Sequence, residues 1–283
     1  MKTIIVINCP DQPGIISTVT GFIHSEQGNV IYLDQHVDKS ANVFFMRLES
    51  EFDQANFNLT KFKQIFKEQL AVPYQMSWNL HVNYVKPKMA LFVSKYNHCL
   101  YDLLSRFKSG ELHVEIPFIL SNHIDLKYIA EQFEIPFFHV PVSKETKEKS
   151  EQEQLILLKR YDVDFIVLAR YMQIIGRNLI EEFPNKIINI HHSFLPAFAG
   201  AKPYHAAFER GVKIIGATSH YVTEELDAGP IIEQDVTTVS HTHSIPDFIS
   251  KGRDLEKIVL SRAVKLHVLR KTMVYNNKTV IFS

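Results

Sequence analysis

Two short segments hold the residue types that could do chemistry. One is Asn189-Ile190-His191-His192-Ser193-Phe194-Leu195-Pro196, and the other is Glu225-Leu226-Asp227-Ala228-Gly229-Pro230. A carboxamide can donate to developing negative charge, an imidazole can move protons, and a carboxylate can serve as base or partner. Together they are the parts needed for acyl-group chemistry. The apolar run Lys186-Ile187-Ile188-Asn189-Ile190 reads as a buried strand that ends in these polar groups. Ligands of open α/β sheets bind at the carboxyl ends of strands. Asp227 is held in a Gly-Pro turn.

The elements that must position these groups fall into two rhythms. In the first part, Thr3 to Asn8 is a strand and Ile15 to Ser25 an amphipathic helix, closed at Gly28-Asn29. Val30 to Val37 and Val43 to Leu48 are strands around a turn at 38–42. Leu59, Phe62, Ile65, Phe66 and Leu70 mark a second helix, and Gln75 to Val82 a fourth strand. Residues 84–88 read as a linker. Beyond it strands alternate with helices: strands at 89–93, 113–120, 137–140 and 164–168, helices at 98–107, 126–133 and 151–161. Such alternation implies a parallel, doubly wound sheet. Further strands are expected at 211–222 and 230–236. A long helix follows at 246–272, and then a terminal hairpin around Asn276-Asn277. The domains are accordingly drawn at 1–84 and 88–283.

Composition narrows the function. The chain has 283 residues, with 31 Lys and Arg against 31 Asp and Glu. No net field draws it to nucleic acid or to a membrane. No apolar run reaches the ~20 residues of a membrane helix, and the N-terminus lacks a signal-peptide pattern. Cys9 and Cys99 stand far apart, outside any C-x-x-C motif. Reduced thiols in the cytoplasm are the expectation. His191, His192, His205 and His220 follow no compact zinc spacing, so no metal is expected.

These motifs carry a family resemblance. Residues 88–283 resemble the formyltransferase family, on Asn189-Ile190-His191 through Pro196, His220-Tyr221-Val222 and Leu226-Asp227-x-Gly229-Pro230-Ile231. The resemblance implies a Rossmann-like domain with Asn189, His191 and Asp227 as the catalytic trio and His220 beside them. It assigns Tyr171, Met172, Gln173, Ile174 and Gly229 to the substrate. The first part resembles an ACT domain, a ferredoxin-like βαββαβ unit, on Cys9-Pro10-Asp11-Gln12-Pro13-Gly14-Ile15. That resemblance implies an amino-acid effector held by Asp11, Gly14, Asn29 and Ile31, and a homo-oligomer. Exposed sheet edges favour such assembly.

An ACT domain fused to a formyltransferase-type domain resembles the formyltetrahydrofolate deformylase family. The implied reaction is hydrolysis of 10-formyltetrahydrofolate to tetrahydrofolate and formate, with folate as substrate and no resident cofactor. One departure from the transformylases supports hydrolysis. Their Gly- and Ser-rich phosphate loop is replaced by Ser94-Lys95-Tyr96-Asn97-His98-Cys99. Without glycine, backbone amides cannot approach a phosphate so closely. Losing the acceptor's phosphate site leaves water as the nucleophile.

In that mechanism Asn189 stabilises the oxyanion, His191 shares protons, and Asp227 serves as base and orients His191. Desolvation would raise the Asp227 pKa and a charged His191 would lower it; sequence leaves the balance open. Each residue alone also has an ordinary reading as cap, core histidine or turn residue. His192 is expected to pack. Met172 and Ile174 read equally as cleft wall or as core. Residues 200–204 read as a mobile cover. The rival functions are a formyl transferase with an amine acceptor and a non-catalytic sensor of amino acids and folate.

Overall fold

The computed structural model describes residues 1–53, 55, 57–82, 85–196 and 203–283. The chain divides into two compact units, Met1–Lys86 with Ile281–Ser283, and Pro87–Val280.

The first unit runs β1 (Lys2–Pro10), α1 (Ile15–Ser25), β2 (Asn29–Asp38), β3 (Val43–Glu51), α2 (Leu59–Phe66) and β4 (Ser77–Val82). Its sheet order is β2-β3-β1-β4, and every pairing is antiparallel. Alternate strand residues Ile5, Ile7, Phe44, Met46 and Leu48 face Val19, Phe22, Phe62 and Phe66 of the helices. That period of two against a helical stripe makes one core. Asn58 caps α2 through its side chain on the Lys61 amide, 3.0 Å. The expected second helix extends past α2 as a π-helical turn, Lys67–Ala71. The last residue also belongs to this unit: the Ser283 amide donates to Asp34 Oδ2 at 2.6 Å, and Tyr32 donates to its carbonyl at 2.6 Å.

The second unit carries β5 (Met89–Val93), α3 (His98–Lys108), β6 (Ile119–Ser121), α4 (Lys127–Gln132), β7 (Phe137–His139), α5 (Lys147–Arg160), β8 (Phe165–Leu168), α6 (Arg177–Glu182) and β9 (Ile187–His191). Then come α7 (Pro203–Arg210), β10 (Ile214–Tyr221), β11 (Ile231–Thr238), α8 (Ile245–Val268), β12 (Thr272–Tyr275) and β13 (Lys278–Ile281). The main sheet is ordered β11-β10-β9-β8-β5-β6-β7, with β5 to β9 parallel and β10 and β11 antiparallel. Leu91, Val167 and Ile188 pack on one face with residues of α3, α4 and α8. Ala90, Phe92, Ile166 and Ile187 pack on the other with Leu157, Leu158 and Leu179 of α5 and α6. Burial on both faces explains why these strands read as unbroken apolar runs. No helix among the described residues is long and apolar enough to cross a membrane.

Two expectations need correction. The strand expected over 113–120 is regular only at Ile119–Ser121, with a single bridge from Glu115 to Lys88 upstream. Pro117 has no amide hydrogen to give a ladder. Helix α5 starts at Lys147, four residues before the expected start, because its first turns are polar and carry no apolar period.

Candidate active site

Strand β9 sets the first two groups. Ile188 and Ile190 enter one core layer and Ile187 the other, so Asn189 and His191 share the Ile187 side by alternation. The adjacent antiparallel strand β10 places His220 opposite Asn189. Their side chains meet, with Asn189 Nδ2 3.2 Å from His220 Nε2. The other ring nitrogen, Nδ1, is 2.9 Å from the Tyr221 carbonyl and donates to it. In the neutral ring that bond leaves Nε2 as the acceptor for the Asn189 amide.

The turn after β10 supplies the carboxylate. Asp227 has φ 56°, in the left-handed region that Asp tolerates better than most side chains. Such backbone persists where the surroundings over-determine it. The Tyr221 amide donates to the Pro230 carbonyl at 2.9 Å, and Asn277 of the terminal hairpin donates to the Ala228 carbonyl at 2.9 Å. A Cβ on Gly229 would overlap the Tyr221 carbonyl. Gly229 is therefore a close-approach position that seats the turn, and it is not among the residues lining the cleft.

So seated, Asp227 bridges two imidazoles. Its Oδ2 is 3.3 Å from His191 Nδ1, and its Oδ1 is 3.7 Å from His220 Nε2. The His191 imidazole, then that of His220, holds the Asp227 carboxyl well below the usual carboxylate range. The partners outweigh desolvation in the balance that the sequence left open. His191 Nε2 is buried and has no hydrogen-bond partner among the described residues. A buried ring nitrogen left unpaired beside a cleft demands an explanation.

The cleft, of about 460 Å³, is lined on one side by Asn189, His191, His192, His220 and Asp227. Leu168 and the run Arg170 to Ile175 also form its wall. Tyr171 is buried there, and its hydroxyl accepts from Gln154 Nε2 at 3.1 Å. Burial pushes its pKa up to about 12. Met172 and Ile174 are 50% and 62% exposed, so they are wall, not core. The Met172 amide donates to Ser94 Oγ at 2.9 Å, and Ser94 donates to Asn122 Oδ1 at 2.6 Å. Gln173 completes the expected wall. Glu225 and Leu226 of the Asp227 segment line the cleft as well, and so do Arg170, Thr223 and Glu224, which were not singled out in the sequence. Their adjacency to Tyr171 and Asp227 was the only available signal. His192 both packs and lines: its ring centroid lies 5.2 Å from that of His191 and 5.9 Å from that of Tyr204.

The effector residues are not gathered in this way. Gly14, with φ 93°, begins α1 and the Asp11 amide donates to the Asn42 carbonyl at 3.0 Å. Asn29 begins β2 past the far end of that helix, and Ile31 lies at an irregularity in the β2–β3 register. An 11-residue helix is roughly 16 Å long, so the two pairs sit at opposite ends of α1 within one chain. Of the expected cover, residues 200–202 lie outside the described residues, while Tyr204 is buried at the start of α7. The Ser94–Asn97 loop leads into α3, where His98 Nε2 is 2.9 Å from Glu256 Oε2.

An ACT-type unit followed by a formyl transferase domain is the class that this fold and site define. The ACT domain model matches residues 3–56, and the formyl transferase model matches residues 87–264. A formyltetrahydrofolate deformylase from Synechocystis is 53% identical over 99% of this chain and 98% of its own length. The structure of a formyltetrahydrofolate deformylase from Pseudomonas syringae superposes with a TM-score of 0.96 at 46% identity, covering 100% of this chain and 95% of that one. A glycinamide ribonucleotide transformylase from Symbiobacterium toebii aligns at a TM-score of 0.65 and 25% identity, covering 70% of this chain and 95% of that one. The chain belongs to the formyltetrahydrofolate deformylase family.

Proposed function

We propose that Asn189, His191 and Asp227 carry out the hydrolysis of 10-formyltetrahydrofolate to tetrahydrofolate and formate. The observation that carries this reading is the His191 ring, with Nδ1 3.3 Å from the Asp227 carboxylate and Nε2 buried beside the cleft without a partner among the described residues. Donation from Nδ1 fixes the tautomer, so Nε2 presents a lone pair. The arrangement has the logic of a carboxylate–imidazole pair that relays protons.

The steps follow from the groups. Water attacks the formyl carbon and gives its proton to His191 Nε2. The carbonyl oxygen becomes an oxyanion and accepts from Asn189 Nδ2. That nitrogen carries two hydrogens, so its bond to His220 leaves one for the oxyanion. One such donor is worth about 3–4 kcal/mol of barrier. The intermediate then collapses: the carbon–N10 bond breaks and the imidazolium returns its proton to N10. Formic acid loses its own proton to solvent as formate. Asp227 remains ionised throughout, holds the ring and steadies the imidazolium. Folate is the substrate here, and the amine-transfer alternative lacks support from the glycine-free Ser94–Asn97 loop.

The test is formate release from 10-formyltetrahydrofolate with no amine present. Release by the parent and its loss in His191→Ala support the reading. Formylation of an added amine in place of formate release would turn it toward a transferase.

For the first unit, an amino-acid effector and assembly into homo-oligomers are part of the same proposal. Because Asp11 and Gly14 lie at the opposite end of α1 from Asn29 and Ile31, one effector could touch both pairs only across two copies. A panel of amino acids that leaves activity and melting temperature unchanged would remove the effector.

A further inference from the structure

Glu256 on α8 is 1% exposed and takes no part in the steps above. Taking a carboxylate out of water costs several kcal/mol unless partners replace its hydration. Here the partners come from three separate places. His98 Nε2 at the start of α3 lies 2.9 Å away, the Tyr204 hydroxyl at the start of α7 donates at 2.7 Å, and Arg170 Nε is 3.4 Å away. Burial pushes the Glu256 carboxyl up, but His98 and Arg170 outweigh it and hold the group ionised.

The surroundings are shaped for this hub. A Cβ on Gly252 would overlap the Tyr204 ring, so α8 is notched where the phenol lies. Arg170 has φ 63° and is 9% exposed, and its guanidinium stacks over the Tyr96 ring at 5.0 Å. Its Nε is buried and finds no hydrogen bond of good geometry among the described residues. A non-glycine residue held left-handed costs roughly 1–3 kcal/mol and persists only where its surroundings demand it. His98, Cys99 and Glu256 also bring one metal-type ligand atom each within 4.8 Å of one another. The Arg170 guanidinium already supplies positive charge there, and His98 Nε2 is committed to the carboxylate. An ion-pair hub explains the cluster better than a cation site.

What the hub holds gives its purpose. Arg170 lines the cleft and leads directly into Tyr171–Ile174. Tyr204 meets His192, which meets His191. We propose that Glu256 is a positioning residue for the hydrolysis, fixing both the Arg170–Ile174 wall of the cleft and the Tyr204–His192 contact beside it. This rests on the hydrolytic reading of the cleft given above. Such a wall contributes binding shared by the ground and transition states, so loosening it raises KM while kcat changes little.

The test measures KM and kcat for 10-formyltetrahydrofolate, and calorimetric binding of tetrahydrofolate, which needs no turnover. In Glu256→Gln, KM and the tetrahydrofolate Kd should rise about tenfold or more while kcat stays within about threefold. Arg170→Lys and Tyr204→Phe should move both in the same direction. The double variant Arg170→Lys/Glu256→Gln should fall short of the product of the single effects, because contacting residues couple. Parent-like KM and Kd in folded Glu256→Gln, or strictly multiplicative effects, overturn the proposal. If Glu256→Gln does not fold, Arg170→Lys, Tyr204→Phe and their double carry the same comparison, coupling supporting the hub and independence overturning it. A parent that binds tetrahydrofolate but releases no formate would fail the hydrolytic reading, while coupling in Kd would still report on the hub.

Discussion

His191 Nδ1 lies 3.3 Å from Asp227 Oδ2, and this contact ties the end of β9 to the turn that follows β10. The carboxylate that makes it is ionised well below its ordinary value, so its folded-state pKa is depressed. A depressed carboxyl pKa adds stability that is present above the unfolded value and is lost as pH falls through the folded one. The unfolded reference is 3.8. The carboxyl carbon of Asp227 should therefore show no titration step by NMR between pH 7 and about 4.5. The stability gap between parent and Asp227→Asn should narrow only in more acidic solution. A step near neutral pH would remove the ionised carboxylate from the mechanism.

Asp227→Asn tests the chemistry of the same contact. The amide keeps the shape of the turn but can present N–H to His191 Nδ1, which favours the wrong tautomer. The expected loss in kcat is ~10²–10⁴-fold with KM nearly unchanged. Activity within tenfold of the parent would show that the pair does not relay protons.

Asn189 and His220 form the second pair, 3.2 Å apart. Asn189→Ala removes the oxyanion donor and should lower kcat about 10²–10³-fold. His220→Ala frees the amide it anchors and takes one of the two imidazoles from beside Asp227, where His191 remains, so its effect should be smaller. Added to Asn189→Ala, it should cost little more, because the two act as one unit. Full additivity in kcat would mean that His220 acts on the substrate by its own route.

Much of this was legible before the structure. The apolar runs at 89–93 and 186–190 read as strands because both faces of an inner sheet are buried, and Ile15–Ser25 showed a clean helical stripe. Helices α6 and α7 were not seen, since six and eight residues hold too few turns to show a period. Asn189, His191, His220 and Asp227 stood out through motif text. Their pairing did not, because strand register and the left-handed Asp227 decide which nitrogen meets which oxygen. Glu256 was not singled out, being one of several charges on a long helix. Only the fold brings His98, Arg170 and Tyr204, far away in sequence, onto its oxygens. Gly229 read as a substrate contact because it sits inside the motif, whereas the fold uses its missing Cβ.

Gly229→Ala isolates that last point. The added methyl would meet the Tyr221 carbonyl, a backbone atom that cannot swing aside. Either the turn lifts or β10 shifts, and both move Asp227 from His191. Steric conflict with fixed backbone belongs with the larger single-site effects, so a stability loss of about 2–4 kcal/mol is expected in denaturant unfolding. Because the residue seats the carboxylate and lies off the cleft lining, kcat should fall while binding of tetrahydrofolate weakens less. A variant with parent-like stability and a selective loss of folate binding would instead return Gly229 to the substrate.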